Sequence, residues 1–192
     1  MNQKNKDHII QRSIEVLNDG GVILYPTDTV WGIGCDATNP KAIEKIYSIK
    51  KRSKKKPFIL LMDNTELLLN YIYSLPEISH KIINNSTQPT TIIYPGPINL
   101  PNILIYQNTI AVRMIKTTYL KELLSIFKKP ITSTSANISG NTTPQKLINI
   151  DDGIKKEVDY IIPQNFMNHK NNKKSSRIIK IHKNSKIEII RE

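Results

Sequence analysis

Residues 25–34 read Tyr-Pro-Thr-Asp-Thr-Val-Trp-Gly-Ile-Gly and follow a short apolar run, Gly21 to Tyr25, that predicts a buried strand. The stretch carries two threonine hydroxyls, the carboxylate of Asp28, and glycines at positions 32 and 34. A glycine has no side chain, so these two positions let the backbone approach a ligand closely. A purely structural turn would explain the same residues. The stretch therefore leaves a ligand-binding loop and a structural turn both open.

Two further segments carry polar groups where sheets commonly bind ligands. Lys50 to Pro57, KKRSKKKP, is a basic cluster at the entrance of a predicted strand. A solvated charge run is its ordinary explanation, but the arginine within it favours anion binding. Ser133 to Gly140, STSANISG, places hydroxyls and an amide after the carboxyl end of a strand, a usual ligand position in α/β sheets. A turn rich in Ser, Thr and Asn is the alternative for this segment.

The pattern along the chain mixes helices and strands without strict alternation, which predicts an α/β fold with a twisted mixed β-sheet flanked by helices. We predict helices ending near Leu17, over Pro40–Lys50, after an Asn64 cap, and over Tyr119–Phe127. Predicted strands are Gly21–Tyr25, Phe58–Met62, Thr91–Tyr94, Ile103–Tyr106, Thr109–Arg113, Pro130–Thr134, Tyr160–Ile162, Arg177–Ile181 and Lys186–Ile190. Predicted loops are Pro26–Asp36, Ser135–Thr143 and a mobile stretch at Asn165–Lys174.

Length and composition predict one domain over residues 1–192. The 39% hydrophobic and 23% charged content is that of an ordinary globular protein, and no apolar run approaches the ~20 residues of a membrane span. Cys35 has no second cysteine to pair with, so we expect a cytoplasmic protein without membrane partners.

The net charge of +12 and pI of about 9.7 favour anionic partners such as phosphates or nucleic acid. An AT-rich genome, which inflates lysine at exposed positions, would give the same bias. The arginines are more informative, since a guanidinium binds phosphate or carboxylate bidentately. They number five of the 28 basic residues: Arg12, Arg52, Arg113, Arg177 and Arg191.

Several common sites are absent from the sequence. There is no P-loop motif and no G-x-S-x-G elbow, and the third glycine of a dinucleotide fingerprint is missing after Gly34. The histidines lack ligand spacing, so we expect no metal held by protein side chains.

Taken together, the three segments resemble the YrdC/TsaC family of threonylcarbamoyl-AMP synthases, in its short, single-domain form. P-T-D-T-V-W-G-I-G is similar to the first family motif, and Lys50-x-Arg52 with Ser135-x-Asn137 resembles the K-x-R and S-x-N tetrad. Ala111-Val112-Arg113 and Ser175-Ser176-Arg177-Ile178 match further stretches. The resemblance runs from about Asp19 to the end of the sequence and implies a YrdC-like sheet with a concave basic cleft.

The resemblance also implies the site residues. The implied catalytic residues are Lys50, Arg52, Ser135 and Asn137. The implied threonine-binding residues are Thr29, Arg113, Ser133 and Ser176. The implied ATP-binding residues are Arg52, Lys56, Thr109, Ser135, Asn137, Thr143 and Arg191.

Three departures from the family pattern stand out. The P-G-P motif should fall at Thr87-Gln88-Pro89, where the first proline and the glycine are missing. Pro95-Gly96-Pro97 looks like that motif but follows the strand, so we interpret it as an unrelated turn. The proline and histidine expected after Arg113 are absent, as is the proline of the element at Ser176.

The implied enzyme is a nucleotidyltransferase that makes threonylcarbamoyl-AMP and pyrophosphate from L-threonine, bicarbonate and ATP. Mg²⁺ is expected to arrive with ATP. The product would serve N6-threonylcarbamoyladenosine modification of tRNA beside the anticodon, with tRNA or double-stranded RNA and a downstream transferase complex as further partners. The alternative is a non-catalytic module that binds double-stranded RNA or tRNA by shape. A third interpretation is the related domain within hydrogenase-maturation proteins.

Overall fold

The computed structural model describes residues 3–116, 119–166 and 175–192. Within these ranges the helices are α1 (Gln3–Asn18), α2 (Pro40–Ile49), α3 (Thr65–Leu69), α4 (Ile78–Asn85), α5 (Tyr119–Phe127) and α6 (Asp152–Glu157). The strands are β1 (Ile23–Pro26), β2 (Trp31–Gly34), β3 (Ile59–Met62), β4 (Thr90–Pro95), β5 (Thr109–Met114), β6 (Ile131–Ser135), β7 (Tyr160–Ile161), β8 (Arg177–Ile181) and β9 (Ile187–Arg191).

The strands form one sheet in the order β7-β1-β2-β6-β3-β5-β4-β8-β9. The pairs β1–β7, β3–β5 and β4–β8 are parallel, and the remaining pairs are antiparallel. The predicted mixed sheet flanked by helices is therefore confirmed.

The two faces of the sheet are covered unequally, and this difference creates space for a site. One face packs against α2, α3, α4 and α6 in the larger apolar core. The other face packs against α1 and α5 around Tyr25, Leu61 and Ile131. Leu61 pairs with Arg113, which pairs in turn with Thr91, and directly paired residues project to the same face. Polar side chains of β5 and β4 thus continue the face that α1 and α5 cover only in part.

Two sequence predictions were wrong. The predicted loop Pro26–Asp36 contains strand β2, because residues 27–30 form a tight turn and β2 pairs back onto β1. Gly34 permits β2 to lie close to β6 on its other side, since a Cβ at this position would lie 1.9 Å from the carbonyl oxygen of Thr132 on β6. The predicted strand Ile103–Tyr106 is instead a 3₁₀ turn over Asn102–Leu104 that ends in an isolated bridge to Thr109.

The short helices α4 and α6 were not predicted, whereas the other predicted elements are present within a few residues of their expected bounds. The predicted mobile stretch Asn165–Lys174 lies outside the described residues except for Asn165 and Phe166, which belong to a short 3₁₀ turn. Among the helices that the structure describes, none combines the length and apolar character needed to cross a bilayer.

Candidate functional site

A cavity of 220 Å³ opens on the partly covered face of the sheet. It draws on segments that are far apart in the chain. Its lining residues are Thr27, Thr29, Val30, Gly32, Arg52, Pro57, Ile59, Arg113, Ser133, Thr134, Ser135, Ser175, Ser176 and Arg191. Among the described residues, no carboxylate lines it. Three guanidinium groups and several hydroxyls therefore face one small space, an arrangement suited to anionic ligands.

The turn between β1 and β2 forms one wall of the cavity. The Thr27 hydroxyl donates to the Val30 carbonyl at 2.7 Å and accepts from the backbone N–H groups of Thr29 and Val30 at 3.0 and 3.2 Å. Because the Thr27 proton is used in this way, Thr29 donates across the 2.9 Å contact between the two hydroxyls. The turn is thus locked by its own side chains, and the Thr29 hydroxyl keeps its lone pairs for another donor.

Arg113 on β5 supplies that donor. Its Nη1 donates to Thr29 Oγ1 at 3.2 Å, and its Nη2 lies 3.2 Å from Asp28 Oδ1. The side chain is 5% exposed, and its Nε is buried without a hydrogen-bond partner. A buried donor without a partner is costly, so the geometry leaves Arg113 ready to bind an anion in the cavity.

Another part of the lining comes from Ser175 and Ser176, which precede β8, and from Arg191 on β9. Arg191 donates from both Nε and Nη2 to the Ser176 carbonyl, at 3.0 and 2.6 Å. The Ser176 hydroxyl lies 2.8 Å from that of Thr91. Arg191 thereby fixes the segment that precedes β8, while part of its guanidinium lines the cavity.

Arg52 enters the cavity from the basic cluster. Its Nε donates to the Lys56 carbonyl at 3.0 Å, and its guanidinium lies 5.5 Å from the centre of the Phe58 ring. Phe58 stacks on Tyr47 at 4.3 Å. These contacts hold a charged group at the strand entrance, as the position of the arginine within the cluster predicts.

Lys50, which the family resemblance implies to be catalytic, is 1% exposed and does not line the cavity. Its ammonium donates to the carbonyls of Ser135 and, at 2.6 Å, of Asn137. Burial, together with the nearby Arg52 charge, lowers the pKa of Lys50 to about 7, whereas the two carbonyl acceptors act in the opposite direction by stabilising the protonated form. Lys50 therefore fixes the loop that carries the S-x-N residues.

The structure brings most of the predicted site residues together. The residues that line the cavity are Thr29, Arg52, Arg113, Ser133, Ser135, Ser176 and Arg191. Lys50 does not line it but binds the backbone of the loop that begins at Ser135. Asn137 lies in the loop that Lys50 holds, where its amide donates to the carbonyls of Ile138 and Asn141 at 3.1 and 2.7 Å. Its side-chain oxygen is buried without a partner.

Four predicted ATP-binding residues do not line the cavity, and one of them is Asn137, described above. The Lys56 side chain is exposed, and only its carbonyl contacts a site residue, Arg52. Thr109 lies at the other end of β5, about 13 Å along the strand from Arg113, and its hydroxyl donates to the Tyr106 carbonyl at 2.7 Å. Thr143 is half-buried in the loop after β6. Their assignment as ATP ligands stays a prediction.

Sequence reasoning missed Thr27, whose signal was its place two residues before Thr29 in the same motif. It also missed the contact between Thr91 and Ser176, for which the sequence holds no local signal, since 85 residues separate them. The interpretation of Pro95-Gly96-Pro97 as a turn unrelated to the family motif fits the structure. Gly96 has φ +68° and forms a turn at the end of β4, and none of the three residues lines the cavity.

In the described parts of the chain, no three His, Cys, Asp or Glu side chains are grouped so as to hold a metal ion. Guanidinium and hydroxyl groups, which line the cavity, do not suit a divalent cation, whose preferred ligands are carboxylate and phosphate oxygens. A cation in this cavity would therefore need ligands from a bound substrate.

A mixed sheet with an arginine-lined cavity on its open face defines an α/β protein built to bind small anionic molecules.

Comparison with known proteins identifies the family within this class. The Sua5/YciO/YrdC family model, described as telomere recombination, matches residues 15–192. The threonylcarbamoyl-AMP synthase of Pseudoalteromonas translucida is 35% identical over 159 residues, 81% of this chain and 85% of that protein. That of Hahella chejuensis is 32% identical over 156 residues, 80% and 85% of the two chains.

Solved structures agree with this result. E. coli YciO superposes with a TM-score of 0.79 at 26% identity and covers 97% of this chain and 89% of its own. P. abyssi Sua5 complexed with L-threonine superposes with a TM-score of 0.77 at 23% identity. This chain spans 50% of that Sua5, a likeness that concerns the fold alone. The chain belongs to the Sua5/YciO/YrdC family.

Proposed function

We propose that this protein is an L-threonylcarbamoyladenylate synthase, which makes threonylcarbamoyl-AMP and pyrophosphate from L-threonine, bicarbonate or CO₂, and ATP. The observation that supports it best is the convergence of Arg52, Arg113, Ser135, Ser176 and Arg191 around one cavity. Relatives that share about a third of their residues over most of their length are named for this activity.

The reaction brings three kinds of negative charge into one site. The neutral threonine amine adds to CO₂ and loses a proton to water to give an N-carboxylate, and an oxygen of this carbamate attacks the α-phosphorus of ATP and expels pyrophosphate. The carboxylate, the carbamate and the triphosphate repel one another strongly where water is excluded. Three fixed guanidinium groups offset this repulsion, so catalysis comes from positioning and electrostatic stabilisation without a covalent nucleophile.

The threonine would lie on the side of the turn and β5. Arg113 has a free Nε for the amino-acid carboxylate, and Thr29, Ser133 and Ser176 line the same cavity. All four residues are at least nine-tenths buried. Their burial would limit the access of water to the carbamate, which decomposes in water.

The nucleotide would lie on the side of Arg52, Ser135 and Arg191. Arg52 and Arg191 are placed for phosphate oxygens, while Asn137 is held by the loop that Lys50 fixes. Lys56, Thr109 and Thr143 would contact ATP only if their segments move toward the cavity. Mg²⁺ would arrive with ATP, coordinated by phosphate oxygens, and would neutralise part of the triphosphate charge.

A direct assay tests the proposal. The pure protein is incubated with ATP, bicarbonate and labelled threonine, and pyrophosphate and a threonine-containing adenylate are measured. Arg52→Ala and Asn137→Ala should abolish the product while leaving the thermal unfolding midpoint close to that of the unaltered protein. Turnover by both variants at the normal rate would overturn the site assignment.

The alternative is a non-catalytic module that binds double-stranded RNA or tRNA. An RNA-binding surface needs basic groups spread over an open face, whereas the arginines found here line a cavity of 220 Å³. The convergence of these arginines on one cavity favours the enzyme.

We further propose that the product serves tRNA modification beside the anticodon. Its partners would be tRNA and a separate transferase complex, and its location the cytoplasm. Transfer of label to tRNA only after such a transferase is added would support this part.

A further inference from the structure

The buried hydroxyl of Thr91 on β4 lies next to the cavity without lining it. Thr91 is 0% exposed and pairs directly with Arg113 across the β4–β5 ladder. Directly paired residues project to the same face of a sheet, so Thr91 lies on the face that carries the cavity. Thr91 is absent from the lining of the cavity, whereas Ser176 belongs to it. The contact between these two residues therefore connects a buried strand with the ligand space.

This contact has a preferred direction. The hydroxyl oxygens of Thr91 and Ser176 lie 2.8 Å apart, and on distance alone either could donate. Among the described residues, the Ser176 hydroxyl is the hydrogen-bond partner of the Thr91 hydroxyl. A buried hydroxyl proton without an acceptor is costly, so Thr91 donates and Ser176 Oγ accepts. The proton of the Ser176 hydroxyl is thereby left for an acceptor in the cavity.

Other contacts fix the backbone of Ser176. Its carbonyl oxygen accepts from Nε and Nη2 of Arg191 at 3.0 and 2.6 Å. The backbone N–H of the next residue, Arg177, donates to the Pro89 carbonyl at 2.9 Å. With the backbone held in this way, rotation about the Cα–Cβ bond decides where the Ser176 hydroxyl points. The contact with Thr91 restrains that rotation.

The free proton of Ser176 suits a carboxylate. Arg113, the strand partner of Thr91, has its Nε buried without a hydrogen-bond partner. A carboxylate has two oxygens, so it can accept from a guanidinium N–H and from a hydroxyl at the same time. We propose that Thr91 is a positioning residue, which by donating to Ser176 makes that hydroxyl a second donor, beside Arg113, to the carboxylate of bound L-threonine. This inference rests on the proposed function.

A double-mutant cycle tests the role of Thr91, with L-threonine binding measured by isothermal titration calorimetry. Thr91→Val keeps the β-branched shape but removes the hydroxyl, whereas Thr91→Ser keeps the hydroxyl. Thr91→Val should weaken L-threonine binding about 3- to 10-fold, the value of one hydrogen bond, and Thr91→Ser should stay within about twofold. In the Ser176→Ala background, Thr91→Val should add less than about twofold, because the group through which Thr91 acts is gone.

Thr90→Val is the matched control. Thr90 precedes Thr91 on the same strand, its hydroxyl donates to the Gln88 carbonyl at 3.0 Å, and the residue lines a separate cavity. This variant should leave L-threonine binding unchanged. ATP binding is measured on the same proteins and should stay within about twofold in Thr91→Val, since the lost orientation concerns the carboxylate of the amino acid.

Unchanged L-threonine binding in Thr91→Val would overturn the proposal, and so would the same loss with and without the Ser176 hydroxyl. Equal weakening of ATP binding would overturn it too, because the substitution would then have disturbed the sheet as a whole. Circular dichroism shows whether Thr91→Val folds; if it does not, Thr91→Ala is put through the same cycle and decides the question. A protein that binds L-threonine but forms no adenylate would refute the synthase activity alone, whereas an active synthase insensitive to Thr91→Val would refute only the role of Thr91.

Discussion

The ammonium group of Lys50 donates a hydrogen bond of 2.6 Å to the backbone carbonyl of Asn137, 87 residues further along the chain. A second bond from the same ammonium reaches the carbonyl of Ser135. Lys50, the lysine of the K-x-R pair, thus holds the backbone of the S-x-N loop. It does not use the side-chain hydroxyl of Ser135 or the side-chain amide of Asn137. The contact joins two sequence motifs into one site.

Lys50→Met is expected to release this loop. Both carbonyls lose their donor, so Ser135 and Asn137 move relative to the arginines, and misplacement by about 1 Å can lower a rate about 100-fold. We expect adenylate formation to fall by at least that factor and hydrogen exchange over residues 135–141 to increase. Lys55→Met, in the same basic cluster but exposed, should change neither quantity. Unchanged exchange in the Lys50 variant would contradict this role.

The stability that Lys50 contributes should depend on pH. Its pKa is about 7 in the folded protein and 10.5 ordinarily. Between these values the unfolded chain binds more protons, so the free energy of unfolding of the unaltered protein should rise relative to Lys50→Met as pH rises. From pH 7 to 9.5 the gain would reach up to ~3 kcal/mol. Urea unfolding of both proteins at pH 6, 7.5 and 9.5 measures it, and a constant difference would show that the two carbonyls keep the pKa of Lys50 high.

Gly34→Ala should destabilise the fold strongly. The added Cβ would lie 1.9 Å from the Thr132 carbonyl oxygen, so β2 and β6 would have to separate locally. We expect a loss of ~3 kcal/mol in the free energy of unfolding, measured in urea. Gly140→Ala is the comparison: its Cβ meets no atom within 4 Å, but its φ of +96° adds backbone strain. Its cost should be about 1 kcal/mol, and equal losses at both sites would be inconsistent with the packing at Gly34.

Arg191→Gln should weaken the wall formed by β8 and β9. The variant loses the paired donors to the Ser176 carbonyl as well as a positive charge. We expect the KM for ATP to rise about 10-fold or more, the value of one charge-assisted hydrogen bond. Arg12→Gln, on the exposed side of α1, should leave KM unchanged. An effect on the KM for threonine alone would place Arg191 on the amino-acid side of the cavity.

The sequence predicts well where its signals are local. The helix over Pro40–Ile49 begins at Asn39, whose side chain accepts from two backbone N–H groups as the Asn-Pro pair predicts. Strand β2 was missed because its two glycines resemble a loop, and they are needed only because another strand packs against them. Helix α4 was missed because it is short and Glu77 gives it no side-chain cap.

The site shows the same division. The motif residues Thr29, Arg113 and Ser176 could be assigned to one pocket because their motifs resemble those of the YrdC/TsaC family. The use of the Lys50 ammonium by two loop carbonyls could not be predicted, because it depends on backbone orientations that only the folded chain fixes. The same holds for the contact between Arg191 and Ser176, which requires β8 and β9 to pair first.

Arg191 closes the cavity from the outermost strand of the sheet, and this order has a consequence for biosynthesis. The ribosome delivers the turn at residues 27–30 early and residue 191 only after nearly every other strand has emerged. Thr29, Arg113 and Ser133 therefore emerge well before Ser176 and Arg191, which complete the pocket. Chains released before residue 191 would lack the contact between Arg191 and Ser176, so we expect them to be inactive even when most of the sheet has formed.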